Sequence, residues 1–109
     1  MRIDVITLFP EMIAKTLDAS VIGRAVSNGI IELNTINLRD FAVDKQRSVD
    51  DTPIGGGPGM LLKPDIIERA LQSRLTEDAY VVMLTPQGYQ YKQKIAEKLA
   101  VKNHLILLC

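Results

Sequence analysis

Two adjacent carboxylates, Asp50 and Asp51, lead directly into Thr52-Pro53-Ile54-Gly55-Gly56-Gly57-Pro58-Gly59-Met60. Four of the chain's seven glycines fall between positions 55 and 59, where they let backbone reach φ > 0 or approach another group closely. Pro53 and Pro58 fix φ at two points of the same run. The chemistry on offer is recognition of a ligand. Carboxylates accept hydrogen bonds from N–H edges, and glycine backbone exposes amides to an oxygen. A solvated aspartate pair capping an ordinary tight turn is the plainer reading of the same residues.

The run is not one of the common phosphate loops. No Gly-Lys-Ser/Thr follows the glycines, and a dinucleotide fingerprint built on Gly55 and Gly57 would need a third glycine at Met60. Arg24, Arg39, Lys45 and Arg47 are candidates for phosphate contact; individually each also fits a solvated surface charge. Thr85-Pro86-Gln87-Gly88 reads as a strand-to-helix turn, with glycine supplying a positive φ. His104 opens a strand with no second metal-type ligand near it in sequence, and is read as structural. Cys109 has no basic neighbour in sequence to activate it.

These residues need elements to position them. Arg2–Leu8 reads as a strand, almost continuously apolar and so buried on both faces. Pro10 opens a helix, with Met12, Ile13, Thr16 and Leu17 as its apolar face. A second helix covers Val21–Asn28 and stops at Asn28-Gly29. Ile30–Asn37 is the next strand. Residues 38–60 carry no sustained apolar period, and a connection of that length is usually functional. Pro64 opens a further helix with Ile66, Ile67, Ala70 and Leu71 at helical spacing. Tyr80–Leu84 is a strand, Gln90–Ala100 an amphipathic helix and Leu105–Leu108 a last strand. Strands alternating with helices predict an α/β fold with a mainly parallel sheet. Ligands in such folds sit at the carboxyl ends of strands, where Thr85–Gly88 falls.

With 109 residues the chain fits one domain. Thirteen basic residues balance thirteen acidic ones, which argues against a generic nucleic-acid binder. Affinity for RNA would then come from local patches, a partner subunit or sequence beyond this chain. The single cysteine allows no internal disulfide and fits a reducing compartment. No segment has the pattern of a signal peptide or a membrane span, so a cytoplasmic location is expected. The chain stops at Cys109, directly after a strand, where the next loop of the pattern should begin. A fragment is expected on that ground.

Leu8-Phe9-Pro10-Glu11-Met12, Gly23-Arg24-Ala25-Val26, Arg39-Asp40-Phe41, Val49-Asp50-Asp51, the Gly55–Met60 run and Thr85-Pro86-Gln87-Gly88 occur in one order and spacing. In this the chain closely resembles the N-terminal part of the bacterial tRNA (guanine-37-N1)-methyltransferases, over essentially its whole length. The resemblance implies a knotted methyltransferase of the SPOUT class and a homodimer. It implies S-adenosylmethionine as methyl donor and methylation of the guanosine 3′ of the anticodon in tRNA. No membrane or DNA partner is expected, and a divalent ion is left open. Gln46 stands where many relatives carry histidine. The trefoil-knot loops, the tRNA-binding second domain and the catalytic residues are expected beyond Cys109, so none of those residues is assigned here.

Methylating N1 of guanine requires removal of the N1 proton by a base and stabilisation of charge developing on O6. A base in a tRNA loop can be splayed out and read on its edges. The resemblance makes Asp50 the acceptor for guanine N–H groups; Asp51 is read as an anchor of the loop, since adjacent side chains in extended backbone diverge. Gly59 gives close backbone approach to the base. Arg24, Lys45 and Arg47 are tRNA contacts, and Leu84, Thr85, Pro86, Gln87 and Gly88 bind the cofactor, mainly through backbone. The alternative from a different class is a non-catalytic α/β module that binds a nucleotide or a partner.

Overall fold

The computed structural model describes residues 1–42, 50–51 and 61–109, with backbone alone for Ser20, Asp50, Asp51, Leu61 and Leu62. Four strands, β1 (Arg2–Thr7), β2 (Glu32–Asn37), β5 (Ala79–Met83) and β6 (His104–Leu108), form one sheet in the order β2-β1-β6-β5. Every pairing in it is parallel, so all carboxyl ends lie on one edge, as the alternation predicts. β1 and β6 occupy the centre and carry the most buried residues, among them Val5, Ile6, Leu105, Ile106 and Leu108. Their continuous apolar character matches strands covered on both faces.

Between β1 and β2 run two helices, α1 (Pro10–Leu17) and α2 (Ser20–Ser27). Pro10 stands at the first helical position, where its missing N–H costs nothing. The expected apolar face of α1 is only half right. Ile13 and Leu17 are partly buried, whereas Met12 is 60% exposed and Thr16 returns its hydroxyl to the Met12 carbonyl. Gly29, at φ 74°, ends α2 in the left-handed conformation that suits glycine. Ile30 and Ile31 then donate to the Ala25 carbonyl. Those two residues therefore belong to the helix end, and β2 begins later than the sequence suggests.

α3 (Pro64–Gln72) lies against the other face. Ile66 and Ala70, one turn apart, are fully buried against Ile6, Ile36, Ile106 and Leu108. Burying a side chain the size of Ile66 is worth about 2 kcal/mol. Leu38 joins the same cluster at 1% exposure. It sits in a 3-10 turn, Leu38–Phe41, whose start is fixed by the Asn37 side chain accepting from the Arg39 amide at 3.0 Å. Leu38 and Phe41 thus contribute to the core although residues 38–60 carry no sustained apolar period, because a single turn shows none. A two-residue antiparallel ladder, β3 (Asp50–Asp51) with β4 (Leu61–Leu62), was also not expected.

α4 (Gln93–Ala100) starts three residues later than predicted. Its inward positions Ile95, Ala96 and Leu99 are half-buried, while Tyr89 is 98% exposed. Residues ahead of Gln93 have no apolar face to bury, and without one an extra helical turn gains little. Among the described residues no helix is long and apolar enough to cross a membrane.

Candidate functional site

The carboxyl edge of the sheet is where the candidate residues begin to gather. β5 ends at Met83, and the Leu84 amide extends the ladder by donating to the Leu108 carbonyl at 3.0 Å. Thr85–Gly88 then turns back on itself. Gly88 donates its amide to the Thr85 carbonyl at 3.2 Å, and Gln87 donates to the Thr85 hydroxyl at 3.3 Å. Pro86 occupies the second position and Gly88 the fourth, the places such a turn favours. Gly88 does not adopt a positive φ, which corrects the sequence expectation: at the fourth position of a turn, glycine is chosen for room.

The turn's own hydrogen bonds limit what it can offer a ligand. The amides of Leu84, Gln87 and Gly88 are already committed, and proline has none. The Thr85 carbonyl is taken by Gly88, and among the described residues no hydrogen bond engages the Thr85 amide or the Pro86 and Gln87 carbonyls, so the turn offers a ligand one donor and two acceptors. Leu84 itself is 59% exposed and supplies apolar surface beside them.

Two strands away, roughly 10 Å across the sheet, the carboxyl end of β1 runs into Leu8-Phe9-Pro10. The Phe9 amide donates to the Thr7 hydroxyl at 3.1 Å. Leu8, Phe9, Pro10, Glu11, Met12 and Asn37 line a shallow depression of about 350 Å³ there. Phe9 and Met12 are mostly exposed. The carboxyl end of β6 lies between these two features, with the Cys109 amide donating to the Ile6 carbonyl at 3.1 Å.

The remaining candidates are distributed differently. The backbone of Asp50 pairs with Leu62 and that of Asp51 with Leu61, which holds the two aspartates in extended conformation. Lys45, Arg47 and Gly59 lie outside the described residues. Arg24 is exposed in the last turn of α2. That turn is tied to Ile30, whose carbonyl accepts the amino terminus. Arg24 therefore stands by the starts of β1 and β2, and the fold does not bring it to Thr85–Gly88.

One polar constellation escaped the sequence reading. Asp4, fully buried in β1, accepts from Asn34 Nδ2 at 2.9 Å, His104 Nε2 at 2.7 Å and Arg2 Nη2 at 3.0 Å. Burial acts to raise its pKa, and the hydrogen bonds from Asn34, His104 and Arg2, with the Arg2 charge, outweigh it and hold the carboxyl below its ordinary value. His104 also meets the Thr76 hydroxyl at 2.8 Å. The signal was present: a carboxylate inside an otherwise apolar central strand needs a partner. The cluster lies at the amino ends of the strands, on the edge opposite Thr85–Gly88.

The whole chain, residues 1–109, matches the family model described as tRNA (Guanine-1)-methyltransferase TrmD. Among curated relatives, a tRNA (guanine-N(1)-)-methyltransferase of Dictyoglomus turgidum is 50% identical over 109 residues. Proteins of the same name from Magnetococcus marinus and Carboxydothermus hydrogenoformans are 51% and 43% identical. Each comparison covers all of this chain and 44%, 43% and 43% of the respective relative. The chain therefore spans less than half the length of the curated relatives it matches.

Proposed function

The chain belongs to the tRNA (guanine-1)-methyltransferase family, and on that premise we propose that residues 1–109 are the N-terminal part of an S-adenosylmethionine-dependent methyltransferase domain. Its parent protein methylates N1 of the guanosine 3′ of the anticodon, position 37, in tRNA. It works in the cytoplasm as a homodimer. The observation that carries the reading is the family match over the full chain, together with a sheet whose carboxyl edge holds the Thr85–Gly88 turn.

The donor set of the turn fits the proposed cofactor. S-adenosylmethionine carries an ammonium, an exocyclic amine and ribose hydroxyls as donors for the Pro86 and Gln87 carbonyls, and acceptor atoms for the Thr85 amide. When bound, the cofactor supplies an electrophilic methyl group on its sulfonium. Leu84, Thr85, Pro86, Gln87 and Gly88 would hold it, and their part is orientation. Asp50 accepts from the guanine N1–H and N2–H₂ edge and so sets which base is admitted. Gly59 permits close backbone approach to that base, and Lys45, Arg47 and Arg24 contact tRNA phosphates. The base that removes the N1 proton comes from sequence beyond these residues.

The test is methylation of a tRNA transcript by the parent protein with labelled S-adenosylmethionine. Transcripts with guanosine or adenosine at position 37 are compared, and the product is mapped by reverse transcription, which stops at N1-methylguanosine because its pairing edge is blocked. A stop confined to guanosine 37 supports the reading. Label transferred to another position, or none, overturns it.

A further inference from the structure

Tyr89 and Tyr91 stand in water, at 98% and 69% exposure. They follow Gly88 directly, in the stretch that joins the Thr85–Gly88 turn to α4. Among the described residues neither ring meets a hydrogen-bond partner, a cation or another ring. One exposed tyrosine needs no explanation. Here two stand two residues apart, beside the proposed cofactor site, and lysines follow them at once.

The charge around the rings is one-sided. Residues 79–102 carry Lys92, Lys94, Lys98 and Lys102 against Glu97 alone, so the rest of an overall neutral chain is net acidic. Lys92, Lys94 and Lys98 are exposed, and among the described residues none of them meets a carboxylate. Lys94 and Lys98 lie one turn apart on α4, a like-charge spacing that slightly weakens a helix. Lys92 precedes the first helical residue and Lys94 lies in the first turn, where the helix dipole disfavours a cation. These lysines therefore do not serve the helix. Lys102 differs: its ammonium lies 4.7 Å from the centre of the Tyr80 ring, and it is already engaged.

The side chains fit a particular kind of partner. Lysines without acidic neighbours suit a phosphodiester backbone. Exposed phenol rings offer faces on which bases stack, whatever the base. Stacking needs unpaired bases, so the fitting RNA is a loop and not a duplex. A membrane surface would need an apolar helix face turned outward, whereas α4 half-buries Ile95, Ala96 and Leu99 against the fold.

We propose that Tyr89, Tyr91, Lys92, Lys94 and Lys98 form a docking surface for single-stranded tRNA, the rings stacking on bases and the lysines meeting phosphates. The surface presupposes the parent protein's proposed role as a tRNA methyltransferase, and it begins one residue from the turn proposed to hold the methyl donor. It also accounts for RNA binding by a chain with no basic surplus: the attraction is local, and the acidic remainder of the chain keeps the polyanion from binding elsewhere.

The experiment follows a fluorescein-labelled tRNA transcript binding to the parent protein by anisotropy, from about 50 to about 200 mM salt. The triple variant Lys92→Gln, Lys94→Gln, Lys98→Gln flattens the slope of log affinity against log salt by about 2, since each phosphate of a single strand contributes about 0.7. Lys15→Gln, at an exposed lysine of α1, leaves the slope as it was. The double variant Tyr89→Ala, Tyr91→Ala weakens binding at least about tenfold at every salt concentration, and Tyr89→Phe, Tyr91→Phe, which keeps the rings, binds as wild type does. The melting temperature holds throughout, as surface substitutions allow. A wild-type slope in the lysine variant, wild-type affinity in the alanine variant, or a loss that phenylalanine does not restore overturns the surface, while methylation of guanosine 37 by the wild-type protein still supports the role it presupposes. A wild-type parent that binds no tRNA overturns both.

Discussion

Gly88 donates its amide to the Thr85 carbonyl at 3.2 Å without adopting a positive φ. A Cβ at Gly88 would sit 3.3 Å from the Thr85 methyl and 3.5 Å from the Thr85 carbonyl oxygen. That is tight, and the neighbour on the closer side is a rotatable side chain. Nothing in the backbone forbids alanine here. A side chain at Gly88 would crowd Thr85, which belongs to the proposed cofactor site.

Gly88→Ala therefore separates fold from binding. The expected melting temperature is close to wild type, with a stability change below about 1 kcal/mol. S-adenosylmethionine affinity of the parent protein falls at least tenfold. Calorimetry beside thermal melting reads both. Unchanged affinity would remove the turn from the cofactor site.

Gly23 behaves in the opposite way. It lies inside α2, where alanine is ordinarily favoured over glycine by about 1 kcal/mol. A Cβ at this position collides with the backbone carbonyl of Asp18. Forcing the α1–α2 junction apart costs about 1–3 kcal/mol, so the clash outweighs the propensity. Gly23→Ala should lower the denaturant midpoint, and a rise would show that the junction yields freely.

Asp4→Asn tests the buried cluster through pH. The carboxyl is held below its ordinary value, so its contribution is complete above the ordinary carboxylate range, about pH 4. It is lost as pH falls through the depressed value. At neutral pH the substitution leaves Arg2 and His104 without their anion and should cost about 3 kcal/mol. The acid limb of the melting curve should also become shallower than in wild type. An equally steep acid limb would assign acid sensitivity to other groups.

Asp50→Asn tests recognition in the parent protein. The amide keeps the size, gives up the charge and presents hydrogens toward guanine donors. Charge-assisted hydrogen bonds are about twice as strong as neutral ones, and losing one costs about 1.5–3 kcal/mol. That corresponds to a roughly ten- to hundredfold fall in kcat/KM. Cofactor affinity and melting temperature should hold. If both fall along with the rate, Asp50 is an anchor of the β3–β4 ladder and reads no base.

Alternating apolar strands and amphipathic helices were enough, by themselves, to determine a parallel α/β sheet with Thr85–Gly88 on its carboxyl edge. Periodicity, Pro10 and Pro64 at helix starts, and proline and glycine at turn positions act within a few residues, so they are legible without a fold. The 3-10 turn at Leu38–Phe41 was not, because one buried leucine has no period. Nor did the chain order reveal that Arg24 sits at the opposite edge from the Thr85–Gly88 turn. The union of Asp4 with His104, a hundred residues apart, was decided by tertiary structure alone. It exists because β6 inserts between β1 and β5, and a strand's choice of neighbour depends on where its crossover lands on the sheet. Local side-chain chemistry carries no record of that choice. It becomes visible only once the buried carboxylate is seen with its partners.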